Sequence, residues 1–384
     1  MKSQITFFPV DNGDMTLIEL ENGKTILIDV NIRGRADDDD DDAPDVAAML
    51  RQRLPCDAQG RLYVDVFLLS HPDQDHCRGL DKHFHLGEPD SCPDDKILIS
   101  EIWSSPMVFR RASRHLTFSD DAKAFNTEAK RRVNLFKQTR LIGDVGDRIL
   151  VLGEDENGKT DNLDPILVKL DEQIHHVNGA PETVVHARLL GPLPPSEFED
   201  EEETLSKNNS SVIVHFLIAS DGSGDACKFL TGGDAEVVIW EKLWNKYGKH
   251  PWLQYDILQT PHHCSWHSLS HESWSDTDGK AQVSLGARNA LAQANTGAFV
   301  IASSKPIEDD DNDPPCIGAK HEYEKITRQV GGSFVCTGDL PQGQKAQPLI
   351  FELTKDGPRP IRQSLPSPKS IFIGAVGRQP LAHG

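Results

Sequence analysis

Several things are scarce in this sequence, and each absence excludes something. No stretch approaches the roughly 18 or more apolar residues of a membrane span. The opening MKSQITFFPVDNGD has one early lysine but no apolar run of signal-peptide length before Asp11, so a cytoplasmic location is expected. CxxC pairs are missing: Cys56, Cys77, Cys92, Cys227, Cys264, Cys316 and Cys336 are scattered, which fits neither a disulfide framework nor a structural zinc ribbon and predicts reduced thiols. Positive charge is short, the net being -20. That disfavours a passive DNA binder, whose affinity rests on lysine and arginine neutralising the phosphate backbone.

What is present is enough apolar residue, 37% of 384, to bury a core. Acid is concentrated in runs at Asp37 to Asp42, Glu199 to Glu203 and Asp309 to Asp311, outside any apolar periodicity. These read as solvated loops, with metal storage or protein docking as the alternative uses. ITFFPV, MTLIEL and KTILIDV read as successive strands, separated by Asp11-Asn12-Gly13-Asp14 and by Glu21-Asn22-Gly23, and Asn-Gly is a hairpin signal. A short helix is expected over 45–54, then an apolar strand, RLYVDVFLLS, that ends abruptly at His71-Pro72. KILISEIW (96–103) is the next strand. Phe118, Ala122, Phe125, Ala129, Val133 and Phe136 then recur at helical spacing, with Ser119 as N-cap and Asp120 and Asp121 in the first turn. Further strands are expected at 148–152, 183–190, 211–218, 227–231, 255–260, 298–303, 333–336 and 348–353, and helices near 235–247, 285–294 and 320–330. Both halves thus begin with antiparallel strands and continue with strands alternating with helices, which implies two packed sheets flanked by helices. The tail 355–384, rich in proline, is expected to be irregular.

The sharpest signal is His71-Pro72-Asp73-Gln74-Asp75-His76, four potential metal ligands directly after a buried strand. A tight loop there can turn alternate side chains inward, so that His71 and Asp73 reach one ion while Asp75 and His76 reach another about 3.5–4 Å away, the clamp of two-metal hydrolases. Capping of the following helix would account for one aspartate but not for the set.

This loop resembles the signature of the metallo-β-lactamase superfamily, in the H-x-D-x-D-H form of the hydrolase domain of the competence (DNA-uptake) protein ComEC and its relatives. FFPVDNGDMTLIELENGKTILIDV resembles that family's opening, KNNSSVIVHF its Asn-Asn-x-Ser strand, FLTGGDAE its Thr-Gly-Asp motif and DILQTPHHCSWHS its Pro-His-His-Gly-Ser motif. The likeness runs from about residue 4 to 353. It implies an α/β fold, a four-layer αββα sandwich of two mixed sheets packed face to face with helices outside. Residues 1–354 would form one such domain, with a helical insertion at about 104–145. Stand-alone members of this branch occur in bacteria.

The resemblance also implies roles. His71, Asp73, Asp75, His76, Asp234 and His262 would be metal ligands, with Asp234 bridging the ions, and His263 a neighbour that supports them or shuttles protons; the order of His262 and His263 could be reversed. Asp11, Asp14 and Asp29 match the family's supporting carboxylates. The family's last histidine-bearing motif corresponds to the helix beginning around His321. Cys264 stands where the family has glycine, and Cys77-Arg78 where it has a small residue and glycine. The usual third histidine of the first ion is missing at Asn208-Asn209-Ser210, leaving water or Asn209, with His186 as a remote candidate. A carboxylate at position 73 hardens the site, making manganese as plausible as zinc. The expected cofactors are therefore two divalent ions whose shared water, deprotonated near neutral pH, attacks an ester. Asp75 or Asp234 would orient it, and His263, His267 or His321 would protonate the leaving oxygen.

The branch implies a phosphodiester substrate, nucleic acid or nucleotide. Between Phe109 and Arg140 nine Lys or Arg face three acids, so this stretch is +6 while the rest is -26, and the basic helix at 119–138 is a candidate strand-guiding or protein-docking face. Trp103, Phe109 and Phe118 would stack bases or pack in the core. The alternatives are a hydrolase of lactones, thioesters or phosphocholine esters on the same site, or a non-catalytic interaction module. Asp73 speaks against lactonase and thioesterase, whose branches keep histidine there, and the clustered ligands speak against the module.

Overall fold

Alternation within the strands sets the layers. The computed structural model describes residues 1–34, 43–106, 117–155, 158–341 and 346–361. The acidic run Asp37 to Asp42, the Phe109, Arg110, Arg111 and Arg114 segment, and the tail from residue 362 lie outside these residues.

One sheet runs, in spatial order, Gly357–Pro360, Leu349–Thr354, Gln4–Phe7, Thr16–Glu19, Thr25–Ile28, Tyr63–Leu69, Ile97–Ser104, Arg148–Leu152 and Leu167–Val168, with Phe84–His85 also pairing Ile97–Ser104. It is antiparallel as far as Thr25–Ile28 and parallel beyond. The second runs Gln173–Ile174, Val185–Gly191, Ile213–Ser220, Ser223–Thr231, Tyr255–Gln259, Ala294–Ala302 and Ser333–Cys336, and changes from antiparallel to parallel after Ser223–Thr231. A small hairpin pairs His176–Val177 with Ala180–Pro181.

Side chains two apart along a strand share a face. Ile5, Phe7, Ile26, Ile28, Val66 and Leu68 therefore meet Val214, Phe216, Ile218, Phe229, Ile257 and Ile301 between the sheets. The alternate set, Leu17, Leu27, Phe67 and Leu69, packs against Leu50, Phe125, Ala129, Val133 and Phe136 on helices. On the outer face of the second sheet, Leu230, Leu258 and Val300 meet Trp240, Leu243, Tyr323 and Ile326. These cores separate helix, sheet, sheet and helix, the αββα sandwich expected of the sequence.

Helix Asp120–Thr139 is capped by Ser119, whose Oγ accepts from the Ala122 N–H at 3.2 Å. It connects the parallel strands Ile97–Ser104 and Arg148–Leu152 and packs on the outer face of the first sheet. Arg131 pairs with Glu128 and Asp147, and Arg132 is buried against Glu128 and the Ile99 and Arg148 carbonyls, so two of the basic residues are structural. Lys123, Lys130 and Lys137 remain exposed, spaced along about 21 Å of helix. Trp103 is buried with its Nε1 donating to Glu101 Oε1 at 2.9 Å, and Phe118 packs against the outer core; both are packing residues here.

Two sequence expectations shift. The irregular tail begins later than residue 355, because Gly357–Pro360 pairs with Leu349–Thr354 as an edge strand. The acidic run at Glu199 forms a short helix, Glu199–Thr204, in which Glu201 accepts from the Ser196 hydroxyl and pairs with Lys242. Among the described residues no helix is long and apolar enough to cross a membrane.

Phe229 meets Phe7 edge-on and stacks on Phe216, centroids 5.9 Å apart in both cases, so Phe229→Ala should lower the unfolding free energy by about 3–5 kcal/mol in urea titrations. Burial pushes the His215 imidazole down to about 4 from 6.5, against the pull of the Gln254 carbonyl it touches. The unfolded state then binds the extra proton between these values, so stability is full above 6.5 and falls as pH drops toward 4, by about 3 kcal/mol in all. His215→Gln should flatten that acid limb when urea midpoints are followed against pH.

Candidate metal centre

The parallel strands of both sheets deliver their C-terminal ends to one place, the position where open α/β sheets carry their sites. Tyr63–Leu69 leads to Ser70 and His71, Ser223–Thr231 to Asp234, and Tyr255–Gln259 to His262 and His263. The opening hairpin contributes Asp14: Gly13, at φ 147, lies where a Cβ would sit 2.0 Å from the Asn31 amide nitrogen, and this tight turn lets Asp14 N donate to the Asp75 carbonyl at 3.2 Å.

His71, His76 and His263 are fully buried, and Asp14, Asp29 and Asp234 nearly so. Asp29 accepts from the Ser70 N–H (2.7 Å), the Ser70 hydroxyl (2.5 Å) and His76 Nδ1 (2.8 Å). Giving its Nδ1 proton to Asp29 leaves the His76 Nε2 lone pair facing the cluster, the supporting arrangement common around metal-bound histidines. That Nε2 comes to 3.0 Å from Asp234 Oδ1, yet neither atom has a hydrogen-bond partner.

Asp234 is the centre of the group. Its Oδ2 lies 3.6 Å from His71 Nε2 and 3.7 Å from both His262 Nε2 and His263 Nε2. Its backbone is held by the Ser211 hydroxyl, which accepts from Asp234 N at 3.1 Å. His263 also approaches Asp14 Oδ1 and Asp75 Oδ2, each at 3.4 Å. Asp73 Oδ2 stands 3.8 Å from His71 Nε2. Asp73 and Asp75 keep side-chain exposures of 30% and 35% and His262 of 16%, so these residues line the open side.

The histidine pair depends on an unusual backbone. His262, His263 and Cys264 have φ of 50, 50 and 71, left-handed conformations that cost of order 1–3 kcal/mol each in non-glycine residues. The run turns both imidazoles toward Asp234. At Cys264 it accounts for the glycine that the resembling family places there.

Charge in this pocket is arranged around Asp234. Burial opposes its ionisation, but His76, His263, His262 and His71 together hold its pKa well below the carboxylate range. Burial likewise opposes charge on His76 and His263, yet Asp234 with Asp29 raises the first well above its usual value, and Asp234 with Asp14 and Asp75 lifts the second to about 10. His71 is pushed down, by burial and then by His76, and keeps a free lone pair. Asp75 is lowered: burial opposes this, and the His263 contact overrides it.

The residues fit divalent cations. One atom each from Asp14, His76, Asp234 and His263 lie within 4.8 Å of one another, close to the spread allowed by metal–ligand bonds of about 2.0–2.2 Å. His71 Nε2, His76 Nε2, both ring nitrogens of His263, Asp14 Oδ1 and Asp234 Oδ1 are buried without a hydrogen-bond partner. Buried polar atoms are rarely left so; cations would satisfy the nitrogens that face Asp234, while His263 Nδ1 faces Asp14 Oδ1 at 3.4 Å. In the metal-free protein the protons on His76 and His263 take its place as counter-charge.

Of the residues singled out in the sequence, His71, Asp73, Asp75, His76, Asp234, His262 and His263 come together. His321 does not join them: it is exposed on helix Ile317–Gln329, and no described ion pair or hydrogen bond links it to the group. His267, 44% exposed, faces Asp313 at 3.8 Å. Asn209 is committed elsewhere, donating to the Thr204 carbonyl and accepting from Glu236 N. His186 faces His175 instead. Asp14, expected only in support, stands among the innermost atoms; its adjacency to the Asn12-Gly13 turn was the signal. Asp11 pairs with Arg33.

Among solved structures the chain is similar to unliganded yeast PDE1, at 12% identity and TM-score 0.39, over 87% of this chain and 97% of that one. It is also similar to a diphosphatase from the PhnP family, at 11% identity and TM-score 0.33, over 92% and 100%. No protein-family model and no curated protein matches it. The chemistry of the site therefore rests on its own geometry.

Metal should be worth stability here. Protein stripped with a chelator and resupplied with Mn²⁺ or Zn²⁺ at about 100 times the dissociation constant should gain about 2.7 kcal/mol, read by calorimetry. Asp234→Asn should lose most of that gain, and equal gains in both proteins would count against the site.

Proposed function

We propose that this chain is a metal-dependent phosphodiesterase of the metallo-β-lactamase superfamily, with motifs that resemble the ComEC-like branch. The observation that carries the reading is the buried set of unpartnered imidazole and carboxylate atoms around Asp234. His71, Asp73, His262 and Asp234 would hold one divalent ion, and Asp14, Asp75, His76, His263 and Asp234 the other, either zinc or manganese. When bound, such ions supply a water acidic enough to act near pH 7 and neutralise charge developing on the ester.

The protein's own groups do the rest. Asp29 and Ser70 fix the ring of His76. Asp14 holds His263, which in turn holds Asp75. Asp75 is kept ionised and is one-third exposed, which suits it to orient a nucleophile by accepting a hydrogen bond from it. His262 is partly exposed beside Asp234, so the ion it would help to hold stays open to substrate on that side; His321 has no role in this scheme. The exposed Lys123, Lys130 and Lys137 favour a polyanionic substrate, nucleic acid over a single nucleotide.

The test is hydrolysis of bis-(p-nitrophenyl) phosphate, single-stranded DNA and RNA with Mn²⁺ or Zn²⁺. Asp75→Ala and His262→Ala should each lower kcat by roughly 10²-fold or more. Turnover equal to the unmodified protein in both variants would remove the proposed site. Turnover of lactone or thioester substrates with none of phosphodiesters would keep the metals and replace the substrate.

A further inference from the structure

Away from this centre, two histidines face each other on the open side of the second sheet. The register that pairs Gln173 with Arg188 and Ile174 with Ala187 puts His175 opposite His186 at the next step. Ile174, Val185, Ala187 and Leu189 point into the core between the sheets, so His175 and His186 project from the other face. Among the described residues no helix covers them: His175 is exposed and His186 half-buried. Their Nδ1 atoms are 2.9 Å apart, with ring centroids at 4.8 Å and planes at 67°.

The pair is remote from Asp234. Gly191 pairs with Ile213, two residues from the Ser211 that holds Asp234, whereas His186 pairs with Leu217. Four strand residues separate these positions, about 13 Å.

We propose that His175 and His186 form a second, exchangeable site for a late divalent transition ion, one that clips the short edge strand Gln173–Ile174 to the sheet. Metal–nitrogen bonds of about 2.0–2.1 Å place two neighbouring ligand nitrogens about 2.9–3.4 Å apart, the gap already present. Two imidazoles with the remaining positions open to water favour Cu²⁺ and Ni²⁺, then Zn²⁺. Burial, then His175, hold the His186 pKa below its ordinary value, and one Nδ1–H donates to the other Nδ1. On binding, that proton moves to Nε2 of the same ring and both Nδ1 lone pairs reach the ion, with no net proton release. The site lies where an edge strand of two residues passes directly into the His176–Val177 hairpin strand, so an ion there would join this edge to Val185–Gly191.

The proposal is tested by titrating Ni²⁺ into the full chain in four forms: unmodified, Asp234→Asn, H175Q and H186Q. Asp234→Asn should keep one weaker equivalent. H175Q and H186Q should lose that equivalent while hydrolysing bis-(p-nitrophenyl) phosphate as the unmodified protein does and melting, metal-free, at the same temperature. Adding H186Q to Asp234→Asn should also abolish the remaining Ni²⁺-induced rise in melting temperature. Unchanged Ni²⁺ stoichiometry and affinity in H175Q and H186Q would overturn the proposal and leave only a hydrogen-bonded pair. Because the readout is binding outside the hydrolytic centre, this result stands or falls separately from the proposed phosphodiesterase activity.

Discussion

Everything at the functional end of this molecule depends on one electrostatic constraint: Asp14, Asp29 and Asp234 are buried together, and a carboxylate out of water is costly unless positive charge accompanies it. Asp29 is satisfied locally by Ser70 and His76. Asp14 and Asp234 are not; each leaves a buried oxygen unpartnered, and the surrounding imidazoles present bare nitrogens to the same space. A pocket so built draws in positive charge, as protons on His76 and His263 or as metal cations. The same constraint that makes it costly to fold makes it able to bind.

The fold meets that cost by converging rigid elements. Each sheet changes from antiparallel to parallel pairing partway across, and the loops leaving the parallel strands carry His71, Asp234 and the His262–His263 pair to a common end. Three aromatic-rich cores hold the layers in register. The strained backbone at residues 262–264 is tolerated because the flanking strand is buried and paired on both sides. Helix Asp120–Thr139 ties in here as well: the Asp121 carboxylate accepts from Gly79 N and Asp81 N just beyond the loop at 71–76.

Much of this was legible in the residues. Strands such as Tyr63–Leu69 and Ser333–Cys336 announce themselves by apolar runs with clear stops, and the helix after Ser119 by its 3.6-residue period and cap. The loop at 71–76 reads as ligands because so many donors follow a buried strand so closely. Other features depend on contacts distant in the chain. The inward turn of both His262 and His263 follows from consecutive positive φ values, which no local propensity favours. Asp14 joins the innermost atoms only because its hairpin lies against the loop at Asp75. The strand Gly357–Pro360 contains two prolines and is tolerated only as an edge, so its composition pointed to irregular chain. His175 and His186 meet because Val185–Gly191, legible as a strand, pairs with Gln173–Ile174, whose period is too brief to detect. Charge counts along the basic helix do not reveal that Arg131 and Arg132 are spent on ion pairs and carbonyls within the fold.

The most direct measurement of the central claim is anomalous diffraction at the manganese edge from crystals of the full chain soaked in Mn²⁺. Strong peaks in contact with Asp234, one beside His71 and one between His76 and His263, are the predicted result. Crystals that diffract well yet show no anomalous density against Asp234 at saturating Mn²⁺ would contradict it, because the buried carboxylates would then be balanced by protons alone.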